Sequence, residues 1–201
     1  IQGDKTGDYP LSEIVKSFIK NKYSKPGNVY LGIPHRLDRP TSGVVIFAKT
    51  SKCLSRLNKL FKEGKVQKYY WAITKNKPEK PEDTLIHWLR KNEKTNKSTH
   101  FKKETTKAKK AVLHYKLLKN LERYFVIEIE LETGRHHQIR CQLKAIGCPI
   151  KGDLKYGYDR SNEDGGIDLH AKKIIFEHPV NGKKIIIDAP VRDTKIWNAA
   201  K

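Results

Sequence analysis

Asp38 stands between two arginines, Arg36 and Arg39, in the run His35-Arg36-Leu37-Asp38-Arg39-Pro40-Thr41-Ser42-Gly43. A carboxylate kept ionised beside a cation can attack carbon or take up a proton, even where it is partly buried. The same residues equally describe a structural ion-pair corner, and their spacing alone does not separate the two readings. A second cluster, Thr133-Gly134-Arg135-His136-His137-Gln138-Ile139-Arg140, gathers two cations, two imidazoles and an amide where a loop enters a helix. Helix N-termini favour anions, so Arg135 suits phosphate or structural contact, while Gln138 and His137 suit bracing of the Thr133–Arg135 turn. Adjacent histidines invite a metal, but successive helical residues point about 100° apart and no further ligand follows at the next turn. No metal site is expected.

These residues need elements to hold them. Leu11, Ile14, Val15, Phe18 and Ile19 recur at helical spacing after Pro10, predicting a helix that ends near Tyr23. A second helix is predicted from Ser51 to Lys62, with Leu54, Leu57, Leu60 and Phe61 on its buried side. Between them the irregular chain around Asp38 leads into a β-rich run, Val44-Val45-Ile46-Phe47. Strands are predicted at Val66–Thr74, Leu85–Leu89, Ala111–Lys119 and Tyr124–Leu131, with a hairpin connection across Leu118–Arg123. A helix from about His136 to Ala145, capped by Gly147, follows the second cluster. Short strands at Lys173–Phe176 and Lys184–Asp188 flank a turn at Pro179–Gly182. Runs of strands with a few separate helices predict an α+β fold, a largely antiparallel mixed β-sheet with flanking helices.

The 201 residues suffice for one domain with a proper core, so residues 1–201 read as a single unit. The chain has no methionine, even at its first residue, and is expected to be a segment of a longer protein that lacks an N-terminal part. Ile1–Tyr9 is polar and unlike a secretory signal, and no apolar run approaches the ~20 residues of a membrane span. Cys53, Cys141 and Cys148 have no CxxC spacing. Cys141 and Cys148 read as small buried residues of the late helix, and a reducing, cytoplasmic setting is expected. The net charge of +20 weakens the compact state by self-repulsion and makes a polyanionic partner a reasonable inference; lipid headgroups could supply the anion, yet no strongly amphipathic apolar face is evident for insertion. Lys91–Lys110, with eight lysines against two glutamates, reads as a solvated, partly mobile loop that could also contact phosphate.

The run HRLDRPTSGVVIFAKT, from His35 to Thr50, resembles the signature of the RluA-type pseudouridine synthases. Further resemblances follow in order. Lys68-Tyr69-Tyr70-Trp71-Ala72 is similar to the family's K-x-Y-x-A strand, Thr133–Arg140 to its TGR-x-HQ-[IL]-R motif, and Gly147–Tyr156 to its G-x-P-I-x-GD-x-x-Y continuation. Leu169-His170-Ala171, Phe176-Glu177-His178-Pro179 and Ala189-Pro190 resemble the closing elements, so the likeness covers roughly residues 1–192.

The resemblance implies an isomerase that breaks the N1–C1′ bond of uridine in ribosomal or transfer RNA, turns the uracil and rejoins it through C5. It implies no cofactor and no metal. The family's essential aspartate falls on Asp38, its base-packing tyrosine on Tyr70 and its aspartate-pairing arginine on Arg140. Arg36 falls where the family holds RNA open around an extruded base. His35, Arg39, Arg135 and Lys68 complete the expected RNA-binding set, on a protein expected to be a monomer with no membrane partner. The upstream K-P-x-G strand and the S4 domain of some relatives do not occur in these residues. A non-catalytic RNA-binding or ribosome-assembly protein on the same scaffold is the alternative; a basic nuclease is a third reading, but the metal-binding carboxylate cluster it would need is not evident in the sequence.

Overall fold

The computed structural model describes residues 9–201, so the polar opening stretch lies outside the described residues up to Asp8. Alternating apolar residues build a sheet around which three helices gather. The strands are β1 (Ser42–Gly43), β2 (Gln67–Thr74), β3 (Glu82–Asn92), β4 (Lys97–Phe101), β5 (Lys109–Asn120), β6 (Phe125–Leu131), β7 (Leu169–Glu177) and β8 (Lys184–Asp188). Among the described residues they form one sheet in the order β1-β7-β2-β6-β5-β3-β4, with β8 on β7. Every pairing is antiparallel except β1 with β7. The α+β expectation is met.

The two faces of the sheet follow from the two-residue period of a strand. On one face Ala72, Leu113, Ile127 and Ile129 pack against Ile139 and Leu143 of α3 (Gln138–Ala145). Beside them Val66, Ile174 and Phe176 pack under Leu57 of α2 (Ser51–Lys62), whose first turn is capped by Thr50 accepting from the Cys53 N–H at 3.1 Å. On the opposite face Ile73 and Val126 meet Trp197 and Ala200 of a C-terminal helix, Lys195–Ala200. Sequence reading missed that helix, whose signal is the Thr194 cap accepting from the Trp197 N–H. The first helix, α1 (Leu11–Lys22), forms where its spacing predicts, yet Leu11, Ile14 and Phe18 stay exposed and only Ser12 and Ile19 are buried.

Three expectations change. Val44–Phe47 is not a strand. Only Ser42 and Gly43 pair with β7, at His170 and Ala171, because β8 takes that edge of β7 from Lys173 to Glu177. Val44 and Ile46 nevertheless pack under α2. The lysine-rich stretch is not one loop, since its first half completes a β3–β4 hairpin. Strand β4 escaped notice because its inward residue, Ser98, is polar and makes polar contacts. Finally, α3 begins two residues later than predicted and Cys148 lies beyond its end, where its N–H reaches back to the Leu143 carbonyl at 2.9 Å and Gly147 takes a positive φ of 74°.

Gly43 shows how closely the Asp38 loop is tied to the sheet. Its φ is +112°, and a Cβ there would sit 2.3 Å from the Ala171 carbonyl oxygen. The pairing of β1 with β7 therefore needs the bare backbone of glycine. Gly43→Ala is expected to lower the unfolding free energy in urea titrations by about 2–3 kcal/mol, while Gly182→Ala costs only about 1 kcal/mol. Gly182 also has a positive φ but nothing near its missing Cβ, so equal losses would show that close approach is not what Gly43 serves.

Candidate active site

Four segments converge on a cleft of about 120 Å³ lined by Arg36, Asp38, Tyr70, Arg135, His137 and Arg140, among others. The Asp38 loop arrives from the short β1–β7 contact. A turn in which the Thr41 N–H reaches the Asp38 carbonyl at 2.9 Å, pinned by the Ile167 N–H on the Pro40 carbonyl at 3.0 Å, aims it. Tyr70 comes from β2 at a register shift against β7 between Tyr69 and Tyr70, a device that re-aims a side chain. Arg140 and His137 come from the start of α3.

Arg140, 5% exposed, gives its fork to Asp153, with Nε and Nη2 each 2.7 Å from a carboxylate oxygen. The Tyr156 ring lies beneath its guanidinium at 5.0 Å. What remains, Nη1, approaches Asp38 Oδ2 at 3.5 Å. Arg140 and Asp38 thus meet, but Asp38 is the weaker of two carboxylates on one cation. Burial works against the Arg140 charge, and the two Asp153 bonds with the carboxylate charges outweigh it and raise its pKa. Asp38 moves the other way from expectation. Burial raises its carboxyl above the ordinary 3.8, and Arg140 only partly opposes this. Asp153, 1% exposed, is a partner that sequence reading missed; its signal was the Gly152-Asp153 pair in the continuation motif.

Tyr70 is pushed well above its ordinary pKa by burial and by the Asp38 charge, so it is a neutral phenol. Among the expected RNA contacts, Arg36 and Arg135 line the cleft, and they and Arg39 are exposed. Arg135 Nε also donates to the Lys110 carbonyl at 2.9 Å, tying it to β5. Lys68 reaches toward Gly134, whose Cβ would lie 3.9 Å from its Nζ, and burial lowers its pKa. His35 differs from expectation. Its ring stacks on Phe61 with centroids 5.0 Å apart, and its Nε2 accepts the Ile46 N–H at 2.9 Å, so it braces the Asp38 loop against α2 instead of presenting a ring to RNA.

The second cluster also rearranges. Gln138 does brace its turn, with Oε1 accepting from Thr133 Oγ1 at 2.8 Å and from the Arg135 N–H at 2.9 Å. His137 does not. It takes left-handed backbone angles (φ 50°), and its Nε2 faces Asp38 Oδ2 at 3.7 Å. Because both histidines precede the helix, their rings do not diverge but stack at 3.8 Å. Among the described residues no group of three or more His, Cys, Asp or Glu side chains is placed to hold a metal ion.

Comparison with known proteins gives this geometry a family. Residues 3–145 match the family model described as RNA pseudouridylate synthase. The chain belongs to that family. Among the chain's relatives is the ribosomal large subunit pseudouridine synthase C of Rickettsia bellii, 36% identical over 165 residues that cover 81% of this chain and 54% of the relative. Another is the tRNA pseudouridine synthase C of Vibrio parahaemolyticus, 32% identical, covering 80% of this chain and 72% of the relative. The chain thus spans about half the length of the first. In fold it is similar to human RNA Pseudouridylate Synthase Domain Containing 4, with a TM-score of 0.80 at 21% identity over 96% of this chain and 84% of that one. The RluA-type resemblance read from the motifs agrees with these relatives.

The raised Asp38 pKa carries a sign for stability. A carboxyl raised in the folded state stabilises the fold while protonated, and that contribution is lost as pH rises through its folded value. At neutral pH an ionised Asp38 is therefore a burden, so Asp38→Asn should raise the melting temperature there, with the gain fading as pH falls toward and below 3.8. Asp153→Asn should instead cost about 3–5 kcal/mol, because it strips a buried guanidinium of its main partner. Thermal unfolding across pH checks both; no gain for Asp38→Asn at neutral pH would mean that Arg140 outweighs burial.

Proposed function

We propose that the protein isomerises uridine to pseudouridine in structured ribosomal or transfer RNA, with Asp38 as the catalytic carboxylate. The observation that carries this reading is a single half-buried carboxylate beside Arg140 in a small cleft that Tyr70 also lines. In the reaction the uracil N1–C1′ bond breaks, a C5–C1′ bond forms, C5 loses a proton and the freed N1 gains one, so nothing is added or removed overall. Attack of the carboxylate at C1′, its attack at C6, and its removal of the C2′ proton all require Asp38 ionised. Arg140 supports that form against the burial that opposes it.

The base must leave the RNA stack to enter so small a cleft, at a cost of a few kcal/mol. The exposed Arg36 at the mouth suits filling the gap and stacking on neighbouring bases. Tyr70 offers a flat apolar face. As a neutral phenol in the free protein it is a poor base for the C5 proton, and its part in the reaction is packing and hydrogen-bond donation. Arg39, Arg135 and Lys68 extend the positive field beyond the cleft toward phosphate. The same proposal makes the protein a cytoplasmic monomer, a setting that its three unpaired cysteines suit. A non-catalytic scaffold gains nothing from a carboxylate whose ionisation burial opposes, which favours the enzyme over a binding protein.

Asp38→Ala should abolish pseudouridine formation in RNA from cells lacking the gene, counted by mass spectrometry, while filter binding to that RNA persists. Equal conversion by mutant and wild type would refute the assignment. Binding should also weaken about tenfold or more between ~50 and ~200 mM salt, as phosphate contacts require, and a flat response would remove the electrostatic part of the reading.

A further inference from the structure

We propose that His137 is a positioning residue for Asp38, held by Tyr156 in the tautomer whose Nε2–H points at the Asp38 carboxylate. The inference rests on the function proposed above and on counting donors. Tyr156, 1% exposed, accepts the Ser98 backbone N–H at 2.8 Å, and its oxygen lies 3.0 Å from His137 Nδ1. The Ser98 amide has one proton and already gives it to the phenol oxygen. The phenol's own proton has Ser98 Oγ and His137 Nδ1 within reach, and giving it to Nδ1 is what leaves Nε2 with a proton to face Asp38 Oδ2, a carboxylate oxygen that only accepts. A neutral imidazole that accepts at Nδ1 carries its proton on Nε2.

That nitrogen lies 3.7 Å from Asp38 Oδ2, on the same carboxylate oxygen that Arg140 Nη1 approaches at 3.5 Å. Both distances are long for an unliganded cleft and shorten when substrate orders it, as catalytic contacts commonly do. The imidazole is kept neutral by burial and by Arg140, with its pKa lowered to about 3, and Tyr156 stays protonated because burial pushes it up to about 12.

The stacked neighbour follows the same arithmetic. Ser98 Oγ donates to the His136 carbonyl at 2.7 Å, so His136 Nδ1, 2.9 Å from that oxygen, must be the donor. One residue of β4, Ser98, therefore sets both imidazoles, directly for His136 and through Tyr156 for His137. This assigns the β3–β4 hairpin a task at the site. The left-handed backbone of His137, a strained state for a residue with a side chain, is the geometry that turns its ring to Asp38.

The full chain labelled with ¹⁵N-histidine, with His137→Gln used for assignment, gives the tautomer directly from long-range ¹H–¹⁵N spectra. The expected result is a protonated Nε2 and a bare Nδ1 at His137; the opposite tautomer overturns the proposal without reference to activity. On RNA from cells lacking the gene, Tyr156→Phe should lower kcat about tenfold at unchanged KM. His137→Gln, which keeps an N–H near the Nε2 position, should stay within about threefold of wild type, and His137→Leu should lose at least tenfold. A role in folding alone would lower kcat in step with the melting temperature and without rescue by glutamine, and that pattern would overturn the proposal. An Nε2–H signal from a wild-type protein that converts no uridine would overturn the proposed function instead, and the positioning role with it.

Discussion

A guanidinium buried to 5% exposure cannot remain without partners, and the site is organised around meeting that demand at Arg140. Asp153 takes the fork, the Tyr156 face covers the plane, and one nitrogen is left toward Asp38. Buried ion pairs contribute little to net stability once desolvation is counted, yet losing one partner is expensive. Such a pair fixes position more than it adds stability. Its consequence is an uneven division of one positive charge. Asp153 receives short, charge-assisted bonds and is spent as structure, whereas Asp38 receives a single long contact and keeps an unshared lone pair for chemistry. An Arg140 aimed wholly at Asp38 would make a more acidic and less nucleophilic carboxylate.

Part of the chain's backbone strain lies around the same place. Gly43 meets β7 with φ +112°, Gly152 precedes Asp153 with φ +86° where a Cβ would lie 2.7 Å from Asn162, and His137 turns left-handed before α3. The β2–β7 register shift falls beside Tyr70. His137 and Tyr70 line the cleft, Gly43 lies two residues past Thr41 of its lining, and Gly152 adjoins Asp153, the partner of Arg140. A rigid, largely antiparallel sheet tolerates such points because its long central pairings do not depend on them.

What could be read from sequence divides along the range of the interactions. Phe125–Leu131 declared itself because every second side chain enters one core, a local signal. Val44–Phe47 carries the same β preference and did not become a strand, because the edge it needed belongs to β8, some 140 positions later. Lys97–Phe101 looked like solvated loop because its buried residue is a serine bonded to His136 and Tyr156, which no hydrophobic pattern records. Asp38, Tyr70 and Arg140 were legible through ordered motifs, and the structure brings them to one cleft. The part of Asp153 was not, since a Gly-Asp pair after a helix reads as a turn until its partner is seen. His137 was misassigned for a related reason. Its neighbour Gln138 already supplies the brace that both residues were expected to share.

The distribution of charge separates binding from chemistry. The excess of +20 resides mainly on exposed lysines and arginines, while the charged groups deepest in the cleft largely cancel as Arg140 against Asp153, with Asp38 beside them. Exposed charges act over about a Debye length and are screened by salt, whereas the buried set sees little of the solution's ions. RNA can therefore be gathered by a field that weakens with ionic strength while the carboxylate at the floor keeps the same partners. It follows that surface cations away from the cleft can be altered with their effect confined to affinity, and that changes at Arg140, Asp153 or Tyr156 act through the geometry of Asp38 whatever the strength of RNA binding.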